Sequence, residues 1–322
     1  MSIIKKTGAG LFCLITVTIS AEAQFWKKKE KETVVIDNSP GITANAKDLS
    51  RVTNDPAPEY YPKISPDGKR ILFYVRDDFK KANERFGIVS IILGQPGRIP
   101  ILGNYTIDAS WMPDSKGFVY TYLRPAKSVI CKGNIEGSYG IAYITQSSMG
   151  DGDANPNISP DGKKILFQTK IGNSFQICLM DISGLNFTVL TEGYYTSWHP
   201  SGTAFLFTKK VGNTEQIFSY DLKSGQNLQI TSGNYSNFNA SYSWDEKLIV
   251  FCSDRDAKRA HVFVMKNTGN DVVQLTSGNT TEWYPVFAPD NTTIYFCSNA
   301  GAPPDKQTII LHSDIWKINF KF

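Results

Sequence analysis

The phrase ISPDGKRILF at Ile64 to Phe73 returns five more times along the chain. The later copies begin at Trp111, Ile158, Trp198, Tyr242 and Phe287 and read WMPDSKGFVY, ISPDGKKILF, WHPSGTAFLF, YSWDEKLIVF and FAPDNTTIYF. Each sets an apolar or aromatic residue before a turn, then an alternating run that ends in an aromatic. Between the turn positions Asp67, Asp114, Asp161, Ser201, Asp245 and Asp290 the steps are 47, 47, 40, 44 and 45 residues. That period is the length of a four-stranded propeller blade, and it overrides the expectation of two domains that 322 residues alone would raise.

The turn has a physical origin. In Ser65-Pro66-Asp67-Gly68 the proline pre-sets the first central position, and the glycine takes the positive φ that lets antiparallel strands close. The runs that follow (ILFYV, FVYTY, KILFQ, AFLFT, LIVFC, TIYFC) are apolar on both faces, as strands covered on both sides must be. A ring of blades packed face to face supplies that double cover. The expected fold is therefore all-β, a six-bladed β-propeller of four-stranded antiparallel blades. A hydrophobic fraction of 41% with 12% aromatics is enough for such a core.

The repeated x-S-P-D-G-K-x-I-x-F phrase resembles the WD40-like repeat of the TolB type, over roughly Leu49 to the C-terminus. That resemblance implies a six-bladed propeller. In the TolB family the propeller binds a peptidoglycan-associated lipoprotein at its channel mouth, and an extra N-terminal α/β domain contacts inner-membrane machinery. The 25 or so residues between Gln24 and Leu49 are too few for such a domain.

Residues 1–23 read as a signal peptide: Lys5 and Lys6, an apolar stretch from Ala9 to Ile19, and Ala21-Glu22-Ala23 before Gln24. Residues 24–46 read as an extended charged leader and residues 47–322 as the propeller. Export to the periplasm or outside the cell follows, with no membrane span after cleavage. Losing two lysines and one glutamate takes the formal charge from +4 to +3, a balance that exerts no strong pull on nucleic acid.

Leu49-Ser50-Arg51-Val52-Thr53 resembles the segments that close other repeats, such as Leu228-Gln229-Ile230-Thr231 and Val273-Gln274-Leu275-Thr276. The sixth repeat has three strands before Phe322 and lacks its own fourth. Residues 49–53 are therefore expected to pair with the edge at Asp314 to Asn319 and close the ring. First strands should begin near Tyr60, Ile107, Ala154, Tyr194, Phe238 and Trp283. The third strand of blade 2 should lie near Ser128 to Lys132.

Chemistry-bearing patterns are sparse. Cys131, Cys178, Cys252 and Cys297 read as buried hydrophobes, because Cys252 and Cys297 sit in adjacent blades too far apart to bridge. Three histidines, His199, His261 and His312, lack metal-ligand spacing, and no G-x-S-x-G elbow is present. Neither a cofactor nor a metal is expected. Asp151 and Asp153 fail the EF-hand spacing.

A site is expected instead at the channel mouth. Six residues before each turn position stand Tyr61, Asp108, Asn155, Tyr195, Asn239 and Tyr284, all polar or tyrosine. Glu59, Asp153 and Glu282, two residues further up, are expected to add an acidic rim. Arg255, with Asp77, Asp78, Arg124, Asp254 and Asp256, is expected on the facing loops. These tyrosines serve either to pack the blade entrances or to recognise a partner. The leading reading is a monomeric, non-enzymatic scaffold that captures an envelope protein or lipoprotein. The alternative is a carbohydrate-binding or glycan-processing propeller, as in the oligogalacturonate lyases, with Trp283, Tyr60 and Tyr61 stacking on sugar rings. Those lyases use a histidine-rich metal centre that three histidines are too few to build.

Overall fold

A computed structural model describes residues 40–54, 57–76, 87–103, 105–136, 141–145, 150–256, 259–300 and 312–322. The signal peptide, the leader as far as residue 39, Asp77, Asp78 and the proline-bearing loop at 301–306 lie outside the described residues. The described chain is all β: six four-stranded antiparallel sheets arranged as the blades of a propeller. Among the described residues no helix is long and apolar enough to cross a membrane.

The inner strands of blades 1 to 6 are Glu59–Ile64, Thr106–Trp111, Asp153–Ile158, Tyr194–Trp198, Asn237–Tyr242 and Glu282–Phe287. They begin within one residue of the expected positions. Each leads through the repeated turn into the second strand. In blade 1 the Ser65 hydroxyl donates to Asp67 (2.6 Å), and Asp67 in turn accepts the Lys69 N–H (3.0 Å). Ser65 Oγ also accepts the Arg70 N–H (2.9 Å), so the turn is wired on both sides. Gly68 sits at φ 70, and its counterparts Ser115, Glu246 and Asn291 keep φ between 58 and 67 despite carrying side chains. The turn geometry thus outlives the loss of its glycine.

The second strands show why they are apolar on both faces. Leu72 of blade 1 packs into the cluster of blade 2 with Ala109, Trp111 and Phe118, whereas its neighbours Ile71 and Phe73 pack back against Tyr295 and Ile315 of blade 6. The same division recurs at Val119, Leu166, Leu206 and Val250, each of which joins the cluster of the following blade. One apolar strand therefore glues two interfaces. A fully buried Leu or Phe contributes on the order of 1.5–3 kcal/mol, so these strands carry most of the ring's cohesion.

Closure follows the expectation. Ala46–Arg51 forms the outer strand of blade 6 on Asp314–Phe320, with Lys47 opposite Asn319 and Arg51 opposite Trp316. Val52 and Thr53 both donate their N–H groups to the Ile315 carbonyl. Arg51 forms an ion pair with the buried Asp314 carboxylate. The pairing begins three residues earlier than expected. A further short strand, Gly41–Ile42, pairs with Thr276–Ser277 at the edge of blade 5, so the segment assigned to the leader is already part of the sheets there. In blade 2 the third strand is Val129–Asn134, close to its expected place.

Candidate functional site

Every inner strand carries a β-bulge at the same place. The ladder to the second strand slips between Tyr60 and Lys63, Ile107 and Ser110, Ala154 and Asn157, Tyr194 and Ser197, Phe238 and Ser241, and Trp283 and Val286. At each slip one residue occupies the left-handed region: Tyr61 (φ 57), Asp108 (53), Asn155 (50), Tyr195 (53), Asn239 (53) and Tyr284 (55). Asn and Asp tolerate that conformation through their short polar side chains, but tyrosine does so at a cost. Bulges re-aim side chains, and here all six are aimed at the propeller axis. Together they line one axial channel of about 600 Å³, counted with its open mouth.

The channel has two unlike walls. Tyr61, Tyr195 and Tyr284, from blades 1, 4 and 6, converge across it. Tyr284 Oη donates to Tyr61 Oη (3.0 Å), and Tyr61 and Tyr195 share a second hydroxyl contact of 3.3 Å. The Tyr61 and Tyr284 rings lie 3.9 Å apart at 30°, and Tyr195 meets Tyr284 edge-on at 6.0 Å. The other wall is charged. Asp108 accepts the Asn155 backbone N–H, and burial lifts its carboxyl to about 7 against the pull of that bond and of Lys63. Lys63 is half-buried in the same wall, and burial lowers its pKa while the neighbouring Asp108 opposes the change. Asn157 donates to the Thr196 carbonyl (2.7 Å), and Asn239 Oδ1 is buried with no hydrogen-bond partner among the described residues.

The structure relocates the remaining expected residues. Glu59, Asp153 and Glu282 are fully buried between blades instead of forming an exposed rim. The reason is an inter-blade pin. In four blades a threonine at the end of the outer strand accepts the N–H of a third-strand residue: Thr145 from Ile130, Thr231 from Ile217, Thr276 from Val262 and Thr53 from Ile315. Thr276 then donates to Glu282 (3.0 Å), which also receives Ser298 Oγ (3.0 Å) and meets His261 Nδ1 at 2.8 Å. Thr53 donates to Glu59, whose other oxygen pairs with Arg98. Glu59 and Glu282 therefore tie one blade to the next.

Arg255 is also displaced from the expected mouth. Its guanidinium stands over the Tyr235 and Phe263 rings (4.9 and 4.8 Å) and donates to Asn237 (2.8 Å), so it caps blade 5. Trp283, expected to be available for sugar stacking, is buried at 6% exposure with Cys252 and Cys297. All four described cysteines are buried free thiols. Among the described residues no group of three or more His, Cys, Asp or Glu is placed to hold a metal ion.

Lys63 is the site residue that sequence reasoning missed. It stands two positions after the bulge residue, in a column otherwise filled by Ser110, Asn157, Ser197, Ser241 and Val286. That column faces the channel at Asn157, Ser197, Ser241 and Val286 as well, so alignment of the copies on the bulge would have exposed a single cation there.

With this geometry in view, likeness to known proteins becomes informative. Residues 194–314 match the TolB beta propeller domain. Over these residues the chain carries TolB-type propeller repeats. An uncharacterized protein of Agrobacterium fabrum is 28% identical over 141 residues, 42% of this chain and 45% of that protein, so the chain matches less than half the length of this curated relative. TolB from Acinetobacter baumannii is similar in structure with a TM-score of 0.63 at 20% identity, over 79% of this chain and 64% of that one. The oligogalacturonate lyase of Vibrio parahaemolyticus matches with a TM-score of 0.56 at 13% identity, over 87% and 96%. At such identities the structural likenesses establish the shared propeller fold alone.

Proposed function

We propose that this TolB-like propeller is exported to the cell envelope and acts there as a non-enzymatic receptor, holding a segment of a partner protein at its axial channel. The observation that supports this reading most strongly is the ring of six bulges. Left-handed backbone at a tyrosine costs of order 1–3 kcal/mol and persists where the surroundings over-determine it, typically at ligand sites. This chain repeats the arrangement in every blade, and the side chains it turns inward are Tyr, Asn and Asp, which offer rigid surface and hydrogen-bonding groups to an incoming chain. Burial of Trp283 removes the largest stacking platform from the carbohydrate alternative.

A photo-crosslinking amino acid placed at Asn155 or Asn239 tests this in the native envelope. The reading expects a discrete protein adduct from these channel positions that disappears in a Tyr61→Ala, Tyr195→Ala, Tyr284→Ala variant that still folds. Absence of any adduct from the channel, with adducts from the outer strands only, would refute it. Cell fractionation with N-terminal sequencing checks export, with the mature chain expected to start at Gln24.

A further inference from the structure

We infer that the Lys63 and Asp108 wall of the channel is a carboxylate subsite, taking the C-terminal carboxylate or an acidic side chain of the segment that enters. This rests on the reading of the channel as a receptor for protein segments and names the chemistry that the segment must carry.

The argument starts from the lining. The titratable groups facing the channel are Lys63, Asp108 and the three tyrosines Tyr61, Tyr195 and Tyr284, and Asn, Ser, Thr, Pro, Ala and Val supply the rest. Among the described residues Lys63 thus brings the only cation that the lining holds, and it does so at a half-buried position. A desolvated ammonium gains most from an oxyanion, since charge-assisted hydrogen bonds are stronger than neutral ones.

Asp108 would oppose an anion if it stayed ionised. One of its oxygens is already fixed by the Asn155 N–H, and burial favours its neutral form. Once protonated, Asp108 becomes a donor, so an entering carboxylate can sit between the Lys63 ammonium and the Asp108 hydroxyl. Above about pH 7, where Asp108 is mostly ionised in the free protein, the entering group therefore brings a proton with it. The rest of the lining fits a peptide. Asn239 Oδ1 is a buried acceptor with no hydrogen-bond partner among the described residues, suited to a backbone N–H of the segment, and three tyrosine rings supply apolar contact. An amine-bearing ligand would meet Lys63 as a like charge, which argues against chain N-termini.

The test uses the mature protein and three short peptides: N-acetyl-trialanine as the free acid, the same peptide as its C-terminal amide, and N-acetyl-Ala-Glu-Ala amide. Binding is read by ligand-observed NMR and by calorimetry at pH 8 in two buffers of different ionisation enthalpy, where Asp108 is ionised before the peptide enters. The inference expects the free acid, the glutamyl peptide or both to bind about tenfold more tightly than the neutral amide, with net proton uptake. Whichever acidic peptide binds identifies the source of the carboxylate. Lys63→Met should remove the preference while leaving the melting curve within a few degrees of wild type. If that variant does not fold, the comparison of acid with amide on the wild-type protein still decides.

Equal binding of all three peptides would overturn the carboxylate subsite while leaving the channel a receptor. Binding of none would overturn both. Preference for the neutral amide, or proton release on binding, would also overturn the subsite.

Discussion

Replacing Asn155 by alanine and by glycine tests the bulge ring through a reversal of the usual order of stability. Asn155 sits at φ 50, where a Cβ clashes with the backbone at a cost of roughly 1–2 kcal/mol. Alanine keeps that Cβ and loses the amide that makes asparagine tolerable there, whereas glycine removes the clash. Glycine also loosens the unfolded chain, which offsets about 0.4–1 kcal/mol of the gain. The balance leaves Asn155→Gly about 0.5–1 kcal/mol more stable than Asn155→Ala. In an ordinary strand the order is opposite, glycine being worse by about 0.5–1 kcal/mol. Ser241 supplies the control, because it stands two residues beyond the Asn239 bulge and lacks a positive φ. Each kcal/mol should move the melting temperature of a domain this large by roughly 2–4 °C, so thermal and urea melts of the four variants resolve the signs. The Asp108 contact to the Asn155 N–H is a backbone contact and survives in both substitutions. Alanine equal to or better than glycine at Asn155 would refute the claim that the ring is held in left-handed geometry.

Other consequences follow from the pins, the closure and the channel. Thr53→Val removes the donor to the buried Glu59 and the acceptor for the Ile315 N–H, and should cost about 2–3 kcal/mol in urea melts. Arg98→Ala leaves Glu59 with its charge uncompensated and should cost about 3–5 kcal/mol, more than removal of any exposed pair such as Lys116 with Glu136. Between about pH 4 and 7 the folded protein keeps a proton on Asp108 that the unfolded chain has released. The contribution of this group therefore falls as pH rises through that window, by at most about 1.4 kcal/mol per pH unit, and Asp108→Asn should flatten the slope in pH-dependent melts. Deleting residues 25–54 strips the outer strand from blade 6 and should lower the melting temperature sharply, with aggregation through the bared edge.

The fold was legible because each level of the sequence agreed. The Ser-Pro-Asp-Gly turn fixed the hairpin, the two-faced strands such as ILFYV demanded cover on both sides, and Val52-Thr53 matched the ends of other outer strands. Counting back from the turn also found all six bulge residues, since the hairpin holds a constant offset. The bulge itself left no mark in the tyrosine-bearing copies, because Tyr sits readily in plain strands. The error at Glu59, Asp153 and Glu282 came from treating charge as exposure. Glu59 and Glu282 are instead satisfied across the blade boundary, each by a threonine 6 residues earlier. Arg255 misled for a related reason, since its aromatic partners Tyr235 and Phe263 are distant enough in sequence to hide the stack.

The most direct check on the ring is whether the two ends of the propeller meet in the stated register. Lys47 and Asn319 stand opposite each other across the closing strand pair, and the four described native cysteines are buried. A Lys47→Cys, Asn319→Cys protein should form a bridge on mild oxidation, with both new thiols lost to alkylation and a melting temperature above that of its reduced form, by a stabilisation of about 2–4 kcal/mol. If both thiols stay reactive in the folded, oxidised protein, the strand does not close the ring where it is described, and the account fails at its foundation.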